Sequence, residues 1–425
     1  MTIKLAPYQT TAARIMSSAR RFLLADAPGV GKTYPAIAAA RSIPGRKLVI
    51  CPAHLRHQWV LCLEVMGERA GTLGGSTEWL VVSFHALGAK TTSGSWRYPH
   101  LQTGFRVTII DEAHTLRNPK SNWTRAALKI DSRVFMLTGT PEISHAGNLY
   151  VLAAMLKKIS HRSYWKFVDE HCDSSLGHFG RKIGGLRDPR AFHKEIFSPD
   201  VYLRRELHDS SIGLNISDPV MHDVHLVLDG NAQKIHQRAK IDYRDENHEP
   251  IFDAGKLSHY LRQIASWPPV GTNPKMALVR SVLENHPGER IVILCWYRKI
   301  RDNVYNSLCS SGTRRLVRIR AEDTRAEQSS NLESFKLCQG SVLVGTLPHL
   351  KEGIDGLQCA SVLILYERSW LNAENEQAIA RFVRRGQCKV VHVYRPVVDK
   401  TFDAAVAKAS NERQHRTLRD LLGEF

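Results

Sequence analysis

Short, unbroken apolar runs punctuate this chain, separated by segments whose apolar residues recur with helical spacing. The first half carries Leu48–Cys51, Leu80–Ser83, Val107–Ile110 and Val134–Leu137; the second carries Ile291–Cys295, Val342–Gly345, Val362–Tyr366 and Val390–Tyr394. Runs rich in β-branched residues and bounded by turns read as strands covered on both faces, hence as parallel sheets with helices on either side. Two such sets predict an α/β chain of two lobes. From about Lys157 to Pro274 the pattern changes. A polar piece, HCDSSLGHFGRKIGGLRDP, precedes helix patterns over Asn231–Asp245 and Leu257–Ser266, and Pro268, Pro269 and Gly271 then break the chain. The predicted organisation is an N-terminal lobe over 1–156, a mainly helical insertion and hinge over 157–274, and a second lobe over 275–425. There are no heptads, repeats or low-complexity tracts.

One segment joins this pattern to chemistry. In FLLADAPGVGKTYPAIAAA, Phe22–Ala25 reads as a buried strand and Ile37–Ala40 as part of a helix, so Gly29, Val30 and Gly31 fall at a strand-to-helix turn. Backbone N–H groups there, backed by the positive end of the helix, form an anion site. Lys32 is placed to reach outer phosphates and the Thr33 hydroxyl to ligand Mg²⁺. Pro35 lies in the first helical turn, where its missing N–H had no intrahelical partner. Asp26 stands where the pattern GxxxxGK[ST] wants glycine, so on this segment alone an ordinary glycine-rich turn stays open. A second segment, Val107-Thr-Ile-Ile-Asp-Glu-Ala-His114, puts two carboxylates just past a buried strand, at the edge where open α/β sheets bind ligands. Asp111 is placed to hold Mg²⁺ and Glu112 to orient or deprotonate a water. Alone, that segment also reads as a helix start with an acidic first turn.

Composition adds a partner. Among 425 residues, Lys+Arg 59 against Asp+Glu 41 gives a formal net charge of +18. A polyanion is the natural counterpart, with simple solubility charge as the alternative. The basic residues fall singly or in pairs such as Arg20-Arg21, Arg204-Arg205, Arg314-Arg315 and Arg384-Arg385, which suits a groove lining more than a disordered arm. Eight cysteines without a CxxC pair argue against a zinc ribbon or a disulfide framework and predict buried thiols in a reducing compartment. The histidines around His161–His193 lack tight ligand spacing and do not read as a metal site. No apolar stretch approaches membrane-spanning length, and MTIKLAPYQT lacks a secretory core. The expectation is a cytoplasmic monomer, bacterial or from a phage-infected cell, with no membrane partner.

Taken together, the motifs resemble superfamily 2 helicases and, within them, the Swi/Snf-type DNA translocases. ADxxGxGKT with an acidic residue for the first glycine is the form those proteins use, and Leu5-Ala-Pro-Tyr-Gln9 resembles their nucleotide-sensing segment. Leu48-Val-Ile-Cys-Pro-Ala-His-Leu-Arg-His-Gln-Trp59 and Val81-Val-Ser-Phe84 are similar to segments meeting one DNA strand, and Asp111–Ser121 to the DEAH box with its tail. Leu137-Thr-Gly-Thr-Pro141 resembles the motif that couples ATP state to DNA, and Leu203-Arg-Arg205 the LRR before the lobe junction. Gln377-Ala-Ile-Ala-Arg-Phe-Val-Arg-Arg-Gly-Gln387 matches QAxxRxxRxGQ. The resemblance implies two RecA-like lobes, with ATP and Mg²⁺ as cofactors. It implies Gln9, Asp26, Gly29, Val30, Gly31, Lys32, Thr33 and Gln377 at the nucleotide and Thr33 and Asp111 at the metal. Lys32, Asp111, Glu112 and the arginine fingers Arg381 and Arg384 are implied in catalysis, though these arginines also read as a solvated helix face. His114, Thr138, Gly139 and Thr140 are implied in coupling, and Arg56, His57, Ser83 and Lys351 in contacts with nucleic acid. Where the family has a small AGGxGI turn, this chain has His349-Leu-Lys-Glu-Gly-Ile-Asp355, which departs from it. Ser132–Pro141, Asn148-Leu-Tyr150, the insertion around Phe167 and Cys172-Asp173, and Glu367-Arg-Ser-Trp370 are similar to the fork-remodelling, annealing-helicase branch.

The expected function is an ATP-dependent translocase on duplex or forked DNA, reached through an unidentified recruiting protein. A strand-separating DNA or RNA helicase is the alternative, disfavoured by the lack of an evident strand-splitting hairpin. A nucleic-acid clamp without hydrolysis is the other.

Overall fold

The computed structural model describes residues 4–422 except 74, 76, 142–143, 161–162, 178–179, 208, 214–215, 246–248, 252, 313 and 351–355. The chain packs as two units, Met1–Leu214 with Gln414–Phe425, and Asn215–Arg413. In the first unit the strands are β1 (Arg21–Leu24), β2 (Lys47–Cys51), β3 (Ala70–Gly71), β4 (Trp79–Ser83), β5 (Val107–Ile110), β6 (Arg133–Leu137), β7 (Cys172–Gly177), β8 (Gly180–Leu186) and β9 (Tyr202–Leu203). Seven of them form one sheet in the order β3-β4-β2-β5-β6-β1-β9. Every pairing in it is parallel.

The apolar runs form the centre of this sheet because both of their faces are covered. Phe22, Leu24, Val49, Ile109, Phe135 and Leu137 pack with Met16, Ile37, Trp59 and Leu63 from the helices Pro7–Ser18, Thr33–Arg41 and Arg56–Val65. Alternate residues Leu23, Leu48, Ile50, Ile110, Val134 and Met136 pack on the other face with Tyr150, Phe167 and Phe192. Each such side chain contributes about 1.5–3 kcal/mol relative to exposure.

The second unit repeats the plan with β10 (Val220–Leu226), β11 (Ile291–Cys295), β12 (Leu316–Arg318), β13 (Val342–Thr346), β14 (Val362–Leu365) and β15 (His392–Val398). Their order is β10-β15-β14-β11-β13-β12, again all parallel. Ile291, Ile293, Val342, Val344, Val362 and Ile364 meet Met276, Val279, Ile300 and Val304.

The segment read as an insertion is shared between the units. Phe167, Cys172, Leu186 and Phe192 join the core of the first, and β10 pairs with β15 in the second. The expected helices are present as Gly230–Asp242 and Ala254–Ser266; the first stops early because Tyr243 takes a left-handed φ of 54°. Strands accompany them. β7 and β8 form a separate antiparallel hairpin whose base, Cys172 and Leu186, is fully buried. β15 runs later than its apolar pattern, because seven residues of β10 pair along it. Cys51, Cys172 and Cys295 are buried as expected, whereas Cys309 and Cys388 are exposed. Among the described residues no helix is long and apolar enough to cross a membrane, and no three His, Cys, Asp or Glu form a metal cluster.

Buried charge is concentrated in the second unit. The fully buried Lys275 lies 2.9 Å from Asp403 and donates to the Tyr366 carbonyl at 2.8 Å. Removing one partner of such a pair leaves the other charge stranded. Lys275→Met is therefore expected to lower stability by about 3–5 kcal/mol in denaturant unfolding of the whole chain. An unchanged midpoint would show that Asp403 does not depend on this ammonium.

Candidate active site

Parallel register brings three loops to one edge of the first sheet. Leu24 of β1 lies beside Leu137 of β6, and Ile110 of β5 beside Met136. The segments after β1, β5 and β6 therefore leave the sheet side by side.

The loop after β1 turns sharply into the helix Thr33–Arg41, with Lys32 at its N-cap. Gly29 and Gly31 have φ of 90° and 91°, a region costly for residues with a Cβ. The loop is clamped from below. Tyr8 Oη donates to Val30 O at 2.8 Å and Gln9 Nε2 to Gly31 O at 3.1 Å, while Gln9 Oε1 accepts from Ala6 N at 3.1 Å. Lys32 Nζ donates to the carbonyls of Asp26 and Ala27 at 2.8 and 3.2 Å. Burial lowers the Lys32 pKa, opposed by the carboxylates of Glu112, Asp26 and Asp111.

Asp26, expected among the nucleotide contacts, instead turns its carboxylate to Arg205. Arg205 Nε donates to Oδ1 at 3.0 Å and Nη2 to Oδ2, and Asp26 is 1% exposed. A carboxylate this deep needs a charged partner. Burial raises its pKa, and Arg205 works against that shift.

The DEAH segment is held by its neighbours. Asp111 Oδ2 accepts from the indole Nε1 of Trp59 at 2.8 Å and Oδ1 from Glu112 N at 3.0 Å. Burial and then the adjacent Glu112 raise the Asp111 pKa. Glu112 itself takes a left-handed φ of 48°, which costs about 1–3 kcal/mol and tends to persist at functional positions. Its Oε2 lies 3.2 Å from His114 Nδ1, which is 3.0 Å from Thr138 Oγ1, and Thr140 N donates to that same oxygen at 3.1 Å. Carboxylate, imidazole and hydroxyl thus form a continuous polar chain between the segments after β5 and β6. Gly139 closes the group against the first loop: a Cβ there would come within 2.7 Å of Pro28 Cγ and 3.0 Å of Pro28 N. For a divalent cation, the Thr33 hydroxyl and the Asp111 carboxylate are hard oxygen donors of the type Mg²⁺ takes.

Other expected residues belong to other elements. Arg56 and His57 are exposed at the start of the helix Arg56–Val65, with Arg56 Nε on Ala53 O at 3.3 Å. Ser83 Oγ caps a short helix by accepting from Ala86 N at 3.3 Å. Lys351 lies outside the described residues. In the second unit, Gln377 belongs to the helix Asn372–Ile379. Arg381 and Arg384 are half-buried in turns beyond its end, so they are not a solvated helix face. Gln387 anchors those turns, its Nε2 donating to Ala360 O at 2.9 Å and Phe382 O at 3.2 Å.

Two contributors escape sequence reading. Trp59 acts on a carboxylate 52 positions away, and Arg205 on one 179 positions away. No local pattern signals either contact.

Residues 274–386 match a family model described as the helicase conserved C-terminal domain, and residues 2–143 one described as the type III restriction enzyme, res subunit. A SWI/SNF-related matrix-associated actin-dependent regulator of chromatin subfamily A-like protein 1 of Xenopus laevis is 23% identical, over 94% of this chain and 42% of that protein. An uncharacterized ATP-dependent helicase of Mycoplasma pneumoniae is 23% identical, over 94% of this chain and 40% of its own length. The chain thus spans about two fifths of the length of these curated relatives. The solved Sulfolobus solfataricus SWI2/SNF2 ATPase core in complex with dsDNA aligns with 99% of this chain and 97% of that chain, at 19% identity and a TM-score of 0.44. The two family models and the SWI/SNF-related relatives make this chain similar to the superfamily 2 helicases of the Swi/Snf type.

Proposed function

We propose that this chain is an ATP-hydrolysing motor that translocates on duplex or forked DNA. The observation that carries the reading is the convergence of Lys32, Asp111 and Glu112 at one sheet edge, with Glu112 linked through His114 to Thr138. Phosphoryl transfer needs little covalent chemistry from a protein; it needs position and charge. The loop amides and Lys32 are assigned to the phosphates. Bound Mg²⁺, held by Thr33 and Asp111, would neutralise phosphate charge. Glu112, oriented by His114, accepts a proton from the attacking water. Arg381 and Arg384 are proposed to supply further cationic charge, and Gln9 and Gln377 to contact the nucleotide. With a proton on Nδ1, His114 can donate to Glu112 or to Thr138, so the base and the coupling segment share one imidazole. Arg56, His57, Ser83 and Lys351 are proposed contacts with nucleic acid. The relatives named ATP-dependent helicases and SWI/SNF-related regulators support the activity and the class. Fork remodelling or reannealing rests on the segment resemblances alone.

One observation favours the strand-separating alternative. β7 and β8 form a two-stranded sheet of their own, and Leu176 on β7 is 91% exposed. This is a hairpin that the polar sequence had hidden. Displacement of a strand from a blunt duplex discriminates the two readings.

In steady-state ATP hydrolysis on single-stranded, duplex and forked DNA and on RNA, Lys32→Ala and Glu112→Gln are each expected to lose about 100-fold or more. Retained turnover in either variant would remove that residue from the site, and stimulation by RNA alone would replace the DNA reading. DNA binding is expected to be sequence-independent and to fall about 1,000-fold or more between low and moderate salt. Arg56→Ala should reduce the slope of log affinity against log salt by about one, and a flat salt dependence would contradict phosphate-dominated binding.

A further inference from the structure

Two consecutive arginines, Arg204 and Arg205, bind the nucleotide loop from its flank. They follow β9, the edge strand paired with β1, and the ladder continues beyond both strands: Ala25 N donates to Leu203 O at 2.7 Å and Ala27 N to Arg205 O at 2.9 Å. The side chains diverge. Arg204 Nη1 donates to Ala25 O at 3.0 Å and to Gly139 O at 3.2 Å, with Glu206 holding its Nε at 2.9 Å. Arg205 forks onto the Asp26 carboxylate and donates from Nη1 to Tyr8 O at 2.8 Å, its guanidinium lying 5.2 Å from the Tyr8 ring centroid. The base of the Lys32 loop, the Thr138–Thr140 segment and the helix carrying Gln9 therefore share one two-residue support.

We infer that Arg204 and Arg205 are positioning residues that set the geometry of the nucleotide loop. The inference rests on the proposed ATP site. Stability alone does not account for the arrangement, because a buried ion pair seldom stabilises more than apolar residues of the same volume. What the pair supplies is direction. A guanidinium presents several donors in a fixed plane, so one side chain reaches a carboxylate and a carbonyl together, which a lysine ammonium does not reproduce. Asp26 completes the device: with glycine there, Arg205 would have no carboxylate to grip. The next residues stay on this support, with Leu207 and Ile212 packing against Tyr8, Ala27 and Val30.

The test uses the full chain with Arg205→Lys and, separately, Asp26→Asn, which keeps the shape and removes the charge. A fluorescent ATP analogue reports affinity, ATP hydrolysis on duplex DNA reports KM and kcat, and amide exchange of Ala25 and Ala27 reports the loop without any nucleotide. Each variant is expected to weaken analogue affinity and raise KM by about tenfold or more. Exchange at those two amides should rise while that of β5 stays constant, and the double variant should be no worse than either single one. Unchanged affinity and exchange in folded variants, or additive losses, would overturn the inference. If a variant fails to fold, Arg204→Lys repeats the exchange measurement on the other arm. Failure of the underlying reading looks different: the wild-type chain would then bind the analogue no better than Lys32→Ala.

Discussion

Parallel pairing is the constraint on which this molecule depends. When all strands of a sheet run one way, every carboxyl end opens on the same edge, and each connection must cross back over a face. Helices carried on those crossovers cover the sheet so completely that residues of both parities along β1, β2, β5 and β6 are buried. A single constraint thus yields the apolar runs, the helix layers and the gathering of the loops after β1, β5 and β6.

The gathered loops also impose an electrostatic problem. Glu112, Asp26 and Asp111 act on the Lys32 ammonium, Lys32 acts on Asp26, and Glu112 and Lys32 act on Asp111, in a region where burial disfavours charge. The solution is directed hydrogen bonding rather than exposure. Trp59 and a backbone amide serve Asp111 and Arg205 serves Asp26, while Glu112 lies 3.2 Å from the His114 imidazole. Each partner leaves acceptor capacity on its carboxylate, so the groups stay held without being fully consumed. The second unit shows the same logic at the end of β14, where Glu367 is 1% exposed and accepts from Trp296 N and Tyr297 N at 2.9 and 3.1 Å.

Coupling follows from packing as much as from polarity. Gly139 touches Pro28 so closely that no side chain fits between them, and Arg204 holds the carbonyls of both Ala25 and Gly139. A shift in one loop must therefore be felt by the other, since close-packed groups move together.

Much of the plan was legible in the residues themselves. Buried central strands need continuous apolar runs, which is why β2, β4, β5, β6, β11, β13 and β14 were visible and short or edge strands such as β9, β10 and β12 were not. Gly29, Gly31, Lys32 and the carboxylates of Asp111 and Glu112 stood out because each group falls in a short local motif just past an apolar run. The sequence by itself determined the class of fold, the glycine-rich turn between β1 and the helix that follows it, and the order of the motifs. Only the tertiary structure decided that Asp26 answers to Arg205, that Trp59 holds Asp111, and that a hairpin stands on the first unit. The physical reason is separation: helix and strand patterns are properties of neighbouring residues, whereas a buried charge finds its partner wherever the chain happens to return.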